Sequence, residues 1–97
     1  MATELDLELE LDLMKPKMYK VILHNDDYST FDFVIQVLME IFNKTKDEAV
    51  ELTFRVDQEG LAVVGIYPKD IAETKVSLVK IAAKENKYPL MATMEEE

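Results

Sequence analysis

The sequence predicts a small α+β domain with helices stacked against a sheet, in the order strand, helix, helix, strand, helix, strand. Three observations carry that expectation. The 97 residues allow one hydrophobic core and are too few for two. Short apolar runs of strand length alternate with longer stretches of helical periodicity. Clusters of Asn, Asp, Gly and Pro fall between them, where turns belong.

The elements follow in order. Met-Tyr-Lys-Val-Ile-Leu-His, residues 18–24, is rich in apolar and β-branched side chains and reads as a buried strand. Asn25-Asp26-Asp27 ends it, since these short side chains bond their own backbone and favour turns. Ser29 and Asp32 have capping-box spacing and open a helix through Phe31, Phe33, Val34, Val37, Leu38, Ile41 and Phe42. Thr45 and Glu48 repeat the spacing for a second helix that ends near Phe54 or Arg55. Asp57-Gln58-Glu59-Gly60 reads as a turn, and residues 61–67 as a strand interrupted by Gly65. Pro68 suits the first turn of a third helix, whose stripe is Ala72, Val76, Val79 and Ala83. Asn86 and Pro89 end it, and Leu90, Ala92 and Met94 alternate along a last strand.

Charge is concentrated at the ends. The chain carries −9, yet 8 of its 20 acids lie in residues 1–14 and 95–97, so the interior is nearly neutral. The run from Glu4 to Leu13 alternates acid and leucine with a period of two. As a strand it places five leucines on one face, and as a helix it scatters them. Close like charges oppose ordering, so residues 1–17 are expected to be a flexible acidic extension, bounded by Lys15-Pro16-Lys17. The alternative is a segment that orders on a partner as an added strand. Residues 95–97 are expected to be an acidic tail.

Composition also excludes functions. A chain at −9 repels phosphate, which argues against nucleic acid. Without cysteine there is no disulfide framework, thiolate nucleophile or Cys-based zinc site. No basic leader precedes an apolar core, and no apolar run reaches about 18 residues, so a cytoplasmic protein without membrane contact is expected. His24 is the only histidine and lies at a strand end, and neither a phosphate loop nor a zinc-protease motif is present. Asp26-Asp27 lacks the spacing of a calcium loop. The expectation is a non-enzyme without cofactor or metal.

One constellation stands apart. Asn25-Asp26-Asp27 offers amide and carboxylate oxygens at a strand-to-helix junction, with Phe31 and Val34 on the next turn. It reads as a turn and helix entry, or as acceptors beside an apolar pocket. The second reading suits the free ammonium of a peptide that begins with a large apolar residue.

These residues also carry a resemblance. Met18-Tyr19-Lys20-Val21-Ile22-Leu23-His24-Asn25-Asp26-Asp27-Tyr28, followed by Phe33-Val34, resembles the opening of ClpS, the adaptor of the ClpA/ClpP protease. The likeness continues through Gly60, Gly65, Ile71-Ala72-Glu73-Thr74-Lys75-Val76, Glu85-Asn86 and Pro89-Leu90, covering about residues 18–94 as one adaptor domain. It implies a three-stranded antiparallel sheet like that of the ribosomal stalk protein's C-terminal domain. It also implies a monomeric adaptor that binds proteins beginning with Leu, Phe, Tyr or Trp, the N-degrons, and hands them to ClpA/ClpP. By motif position, Asn25 and Asp26 contact the α-amino group, while Asp27 is structural. Ser29, Phe31, Val34, Thr53, Val56 and Leu90 form the side-chain pocket. Asp70, Glu73 and Lys75 dock on the ClpA N-terminal domain. The N-terminal extension is expected to assist delivery by engaging the unfoldase.

Three positions depart from the family pattern. Phe31 stands where a rim methionine is usual and is bulkier and stiffer. Asp57 replaces a common histidine; it accepts from an ammonium but cannot donate to a carbonyl. Thr53 is polar where a pocket methionine is common. They leave two alternatives to the adaptor: a passive interaction domain, and a ClpS-like domain that docks on ClpA and inhibits or redirects it.

Overall fold

Strand β1 (Met18–His24) runs through the centre of the sheet, as its apolar composition demands. Val21 and Leu23 are fully buried under the helices, and even Ile22, on the opposite face, is 8% exposed. The computed structural model describes residues 3–14 and 16–97, so Lys15 of the expected boundary lies outside the described residues. The other elements are α1 (Glu4–Met14), α2 (Phe31–Glu40), α3 (Lys46–Glu59), β2 (Leu61–Pro68), α4 (Lys69–Glu85) and β3 (Met91–Glu96). From residue 18 onward this is the expected element order. The sheet is antiparallel, in the order β2-β1-β3.

The interruption expected at Gly65 is a β-bulge. Val21 pairs with Gly65 and Ile22 with Val63, leaving Val64 as the extra residue. A Cβ at Gly65 would overlap the Tyr67 ring, so any larger residue there would have to displace that ring. Tyr67 in turn packs near Phe42, with ring centroids 6.5 Å apart. Helices α2, α3 and α4 cover one face of the sheet. They bury Phe33, Val37, Leu38, Ala49, Ala72, Val79 and Ala83 against Val21, Leu23, Ala62 and Val64. On α4 the fourth member of the expected stripe, Val76, is half-buried.

Helix ends show where local signals held and where tertiary structure overrode them. Thr45 caps α3 as expected: it accepts from Glu48 N at 3.2 Å, and Glu48 Oε1 accepts from Thr45 N at 3.0 Å. The cap of α2 is Thr30, not Ser29. Thr30 Oγ1 accepts from Phe33 N at 3.1 Å, while the Ser29 amide is already held by Asp26. Helix α3 runs on to Glu59, so Asp57-Gln58-Glu59 is helix rather than turn. None of those three residues breaks a helix, whereas Gly60, at φ 88°, does. Its N–H donates to Val56 O at 2.9 Å. Pro68 closes β2 and precedes α4 instead of lying in its first turn.

The two ends of the chain differ from expectation. Residues 4–14 are helical, with Thr3 and Asp6 exchanging backbone-to-side-chain bonds at 3.2 and 3.3 Å. Leucine and glutamate are strong helix formers, and a strand would need a partner to satisfy its backbone. As the period requires, the leucines spread around this helix: Leu5, Leu7, Leu9 and Leu11 are exposed and outside the core. Glu95 and Glu96 are not a tail but the end of β3, opposite Lys20 and Tyr19. Glu97 N donates to Met18 O at 2.9 Å.

Candidate functional site

At the His24 end of the sheet, four segments converge on a cavity of about 270 Å³. The exit of β1 supplies His24, Asn25, Asp26 and Asp27, and the entry of α2 supplies Ser29, Phe31 and Val34. The last turns of α3 supply Thr53, Val56 and Asp57, and Leu90 closes the wall ahead of β3. All nine expected pocket residues line this one cavity. The length of α3 accounts for part of that convergence, because Thr53, Val56 and Asp57 fall at i, i+3 and i+4 on one face. Had the helix stopped at Arg55, Asp57 would have pointed elsewhere.

Backbone bonds hold the acceptors in place. Asn25 N donates to Gly60 O at 2.8 Å, tying the strand exit to the end of α3. Asp26 Oδ1 accepts from the Tyr28 and Ser29 amides at 2.8 and 2.6 Å, an Asx turn that also fixes the carboxylate. Burial pushes the Asp26 carboxyl up, but the Ser29 hydroxyl and the two amides outweigh it and hold the group below its ordinary 3.8. Asp26 is therefore an anion at neutral pH. Its other oxygen, Oδ2, and Ser29 Oγ are buried and have no hydrogen-bond partner in the protein. The Ser29 hydroxyl thus lies close enough to favour the charged carboxylate. Buried polar atoms without partners are rare.

The inner walls are apolar or neutralised. Val34, Val56 and Leu90 are buried walls. Thr53 is 2% exposed, and its hydroxyl donates to Ala49 O at 2.7 Å inside α3. That bond occupies its proton, so the site takes threonine at little polar cost. Asn25, Asp27 and Asp57 are exposed around the mouth, and Asp26 is half-buried. Phe31 stands at the rim, 41% exposed, and meets Phe54 edge-to-face at 5.2 Å and 88°. Sequence reasoning missed Phe54, since the pairing crosses from α2 to α3 and leaves no local pattern. It also left out His24, whose Nε2 lies 2.7 Å from Thr93 Oγ1 and fastens the strand exit to β3.

The other expected group lies at the opposite end of β1. Asp70 and Glu73 are exposed and line a groove with Lys17, Tyr19 and Lys69. Lys75 does not join them: its ammonium donates to Ile41 O at 2.6 Å, 5.6 Å from the centre of the Tyr67 ring. Among the described residues no group of three His, Asp or Glu side chains is placed to hold a metal ion. No described helix is long and apolar enough to cross a membrane.

Comparison with known proteins agrees with this arrangement. The family model for the ATP-dependent Clp protease adaptor protein ClpS matches residues 14–93. The ClpS adapter of Wolinella succinogenes is 54% identical over 93 residues, covering 96% of this chain and 91% of that protein. The ClpS adapter of Nautilia profundicola is 47% identical over 96 residues, covering 99% of each. Among solved structures, Agrobacterium tumefaciens ClpS2 bound to L-phenylalaninamide superposes with a TM-score of 0.83 at 41% identity. The match covers 86% of this chain and all of that one. With the fold, the cavity and the family model in agreement, the chain belongs to the ClpS family of ATP-dependent Clp protease adaptors.

Proposed function

We propose that this protein captures other proteins by a free, hydrophobic first residue (Leu, Phe, Tyr or Trp) and delivers them to the ClpA/ClpP protease without doing chemistry itself. One observation carries the reading: Asp26 and Ser29, each with a buried oxygen that has no partner among the described residues, line a cavity walled by Val34, Val56 and Leu90. An α-ammonium supplies the donors, and a large apolar side chain fills the volume. At about 270 Å³ the cavity is below the usual range for whole drug-sized ligands and suits one side chain. The phenylalaninamide on the related ClpS2 is a molecule of that kind, with a free amine and a phenyl group.

Asn25, Asp26 and Asp57 contact the amine, Asp27 shapes the turn, and Ser29, Phe31, Val34, Thr53, Val56 and Leu90 surround the side chain. Docking on the ClpA N-terminal domain falls to the Asp70 and Glu73 end, where Lys75 acts mainly by holding α2 in place. The adaptor works as a cytoplasmic monomer, and residues 1–17 engage the unfoldase during delivery.

Fluorescence anisotropy with peptides starting with Leu, Phe, Tyr, Trp, Ile or Ser, plus an acetylated control, tests the reading. Acetylation leaves acceptors unpaired at about 1–3 kcal/mol each. A polar first residue forfeits about 1.5–3 kcal/mol of apolar burial. If free-amine peptides bind no better than the acetylated one, the reading fails. Binding without faster degradation by ClpA/ClpP favours the alternative, a domain that docks on ClpA and inhibits or redirects it.

A further inference from the structure

We infer that the groove between α4 and β3 is a docking seat for α1, the chain's own acidic, leucine-bearing helix. The inference stands whether or not the cavity takes a first residue. The groove encloses about 640 Å³ and is walled by Val76, Tyr88, Met91 and Ala92, with Lys80 and Lys84 beside them. It stays open because β3 is an edge strand, with no further strand beyond it. Both lysines are exposed, and among the described residues neither pairs with a carboxylate. Charge separates this opening from the other two. The cavity is lined by Asp26, Asp27 and Asp57, and the groove at the far end of β1 by Asp70 and Glu73. The α4–β3 groove holds lysines and apolar side chains and no acid. It fits an occupant that is both aliphatic and negative.

Helix α1 has that chemistry and needs a cover. It has 11 residues, and isolated helices shorter than about 12–15 residues are marginal in water. Glu4 and Glu8, like Asp6 and Glu10, are equal charges at i and i+4, which weakens it further. Leu5, Leu7, Leu9 and Leu11 are all more than half exposed. Glu4 and Glu8 form a row, with Leu5 and Leu9 on one side of it and Leu7 and Leu11 on the other. The spacing of that row matches the groove, since Lys80 and Lys84 are also four residues, about 6 Å, apart. Connectivity sets the direction. Met18 pairs with Pro68, so α1 and α4 leave from the same end of the sheet, and a seated α1 is antiparallel to α4. Lys84 lies about 22 Å along α4 from Lys69, and Glu4 about 15 Å along α1 from Met14. Residues 15–17 bridge up to about 13 Å more, which brings Glu4 to Lys84 and Glu8 to Lys80. The structure holds the released form, with the leucines exposed, so seating is a reversible exchange and no part of the core. A partner that grips the segment draws on the released form.

The test uses the full chain, which has no cysteine, so Ala2→Cys carries a single nitroxide label. In ¹⁵N-labelled protein at low salt, the amide signals of Lys84, Tyr88 and Met91 lose most of their intensity against the reduced label. Leu61 and Val63, on the far edge strand, keep theirs. Raising NaCl to about 1 M, where the Debye length is about 3 Å, restores most of the lost intensity. Lys80→Glu with Lys84→Glu abolishes the loss, and adding Glu4→Lys with Glu8→Lys to that variant brings it back. Full intensity in the labelled wild type overturns the inference, and so does a loss that K80E/K84E leaves unchanged. A mixture of nitroxide-labelled chain and unlabelled ¹⁵N chain separates the sources of the helix. Full intensity in the mixture supports seating within one chain, whereas a loss equal to that of the single labelled chain assigns the seat to a second copy and overturns it.

Discussion

Asp26 does two jobs with its two oxygens. Oδ1 holds the Tyr28 and Ser29 amides and so builds the entry to α2, while Oδ2 has no partner among the described residues and is the acceptor that the proposed function assigns to a ligand. Asp26→Asn keeps the size but removes the charge and exchanges one acceptor oxygen for an NH₂ donor. Affinity for a Phe-initiated peptide should fall at least about tenfold, since bonds to charged groups carry about 1.5–3 kcal/mol. Isothermal titration calorimetry checks this. The pH profile follows from the direction of the shift. Asp26 titrates below 3.8, so its carboxylate accepts above that pH, and affinity drops as pH falls through its pKa. The ligand's α-ammonium loses its proton near 7.7–8.0, so affinity also drops above that range. A plateau between the two limbs is expected, and in D26N the part of the acidic limb that belongs to Asp26 disappears. Folding shares the acidic limb: a depressed carboxylate pKa adds stability above the unfolded value, and this is lost as pH falls through the folded one.

At the scale of elements, the caps decide both the lengths and the faces of helices. Thr45→Ala removes the reciprocal box that starts α3 and should cost about 1 kcal/mol, read as a lower urea midpoint at unchanged m-value. Lys75→Ala strips Ile41 O of its donor at the end of α2 and should cost about 1–2 kcal/mol, visible as a lower melting temperature. A docking defect in that variant must therefore be read against its stability. The same ends explain what was legible in the sequence. The Thr45 box, the bulge glycine and the Asx turn are local and could be read from a few residues. The end of α3 could not, because Asp-Gln-Glu-Gly has the composition of a turn, and only the left-handed Gly60 shows where the helix stops. Thr30 displaced Ser29 as cap because Asp26 had already claimed the Ser29 amide, a bond that no spacing rule reports. Physical reading alone reached Asn25, Asp26, Phe31 and Val34 as one candidate group. Thr53, Val56, Asp57 and Leu90 came from family likeness, and Phe54 from neither, since contacts between α2 and α3 belong to tertiary structure.

In the whole molecule, β1 separates the cavity from the groove at Asp70 and Glu73. The cavity opens where His24 faces Leu61 and Met91, and the Asp70–Glu73 groove lies where Met18 faces Pro68. A strand of this length puts the two about 20 Å apart, so under the proposed function cargo and protease would not compete for surface. The N-terminal helix stands outside both. Among its described side chains none joins the core and Leu5, Leu7, Leu9 and Leu11 are exposed, and with residues 95–97 its segment holds much of the negative charge. Removing residues 1–14 should therefore leave the melting temperature within about 2 °C, because surface changes away from packed features stay within about 0.5 kcal/mol. Affinity for a Phe-initiated peptide should also be unchanged, since none of the segment's described residues lines the cavity. Degradation of a Phe-initiated reporter by ClpA/ClpP should slow sharply if the segment is what the unfoldase grips. Because folding and cargo binding serve as internal controls, a truncated chain that supports degradation at the full-length rate removes the segment from the delivery step.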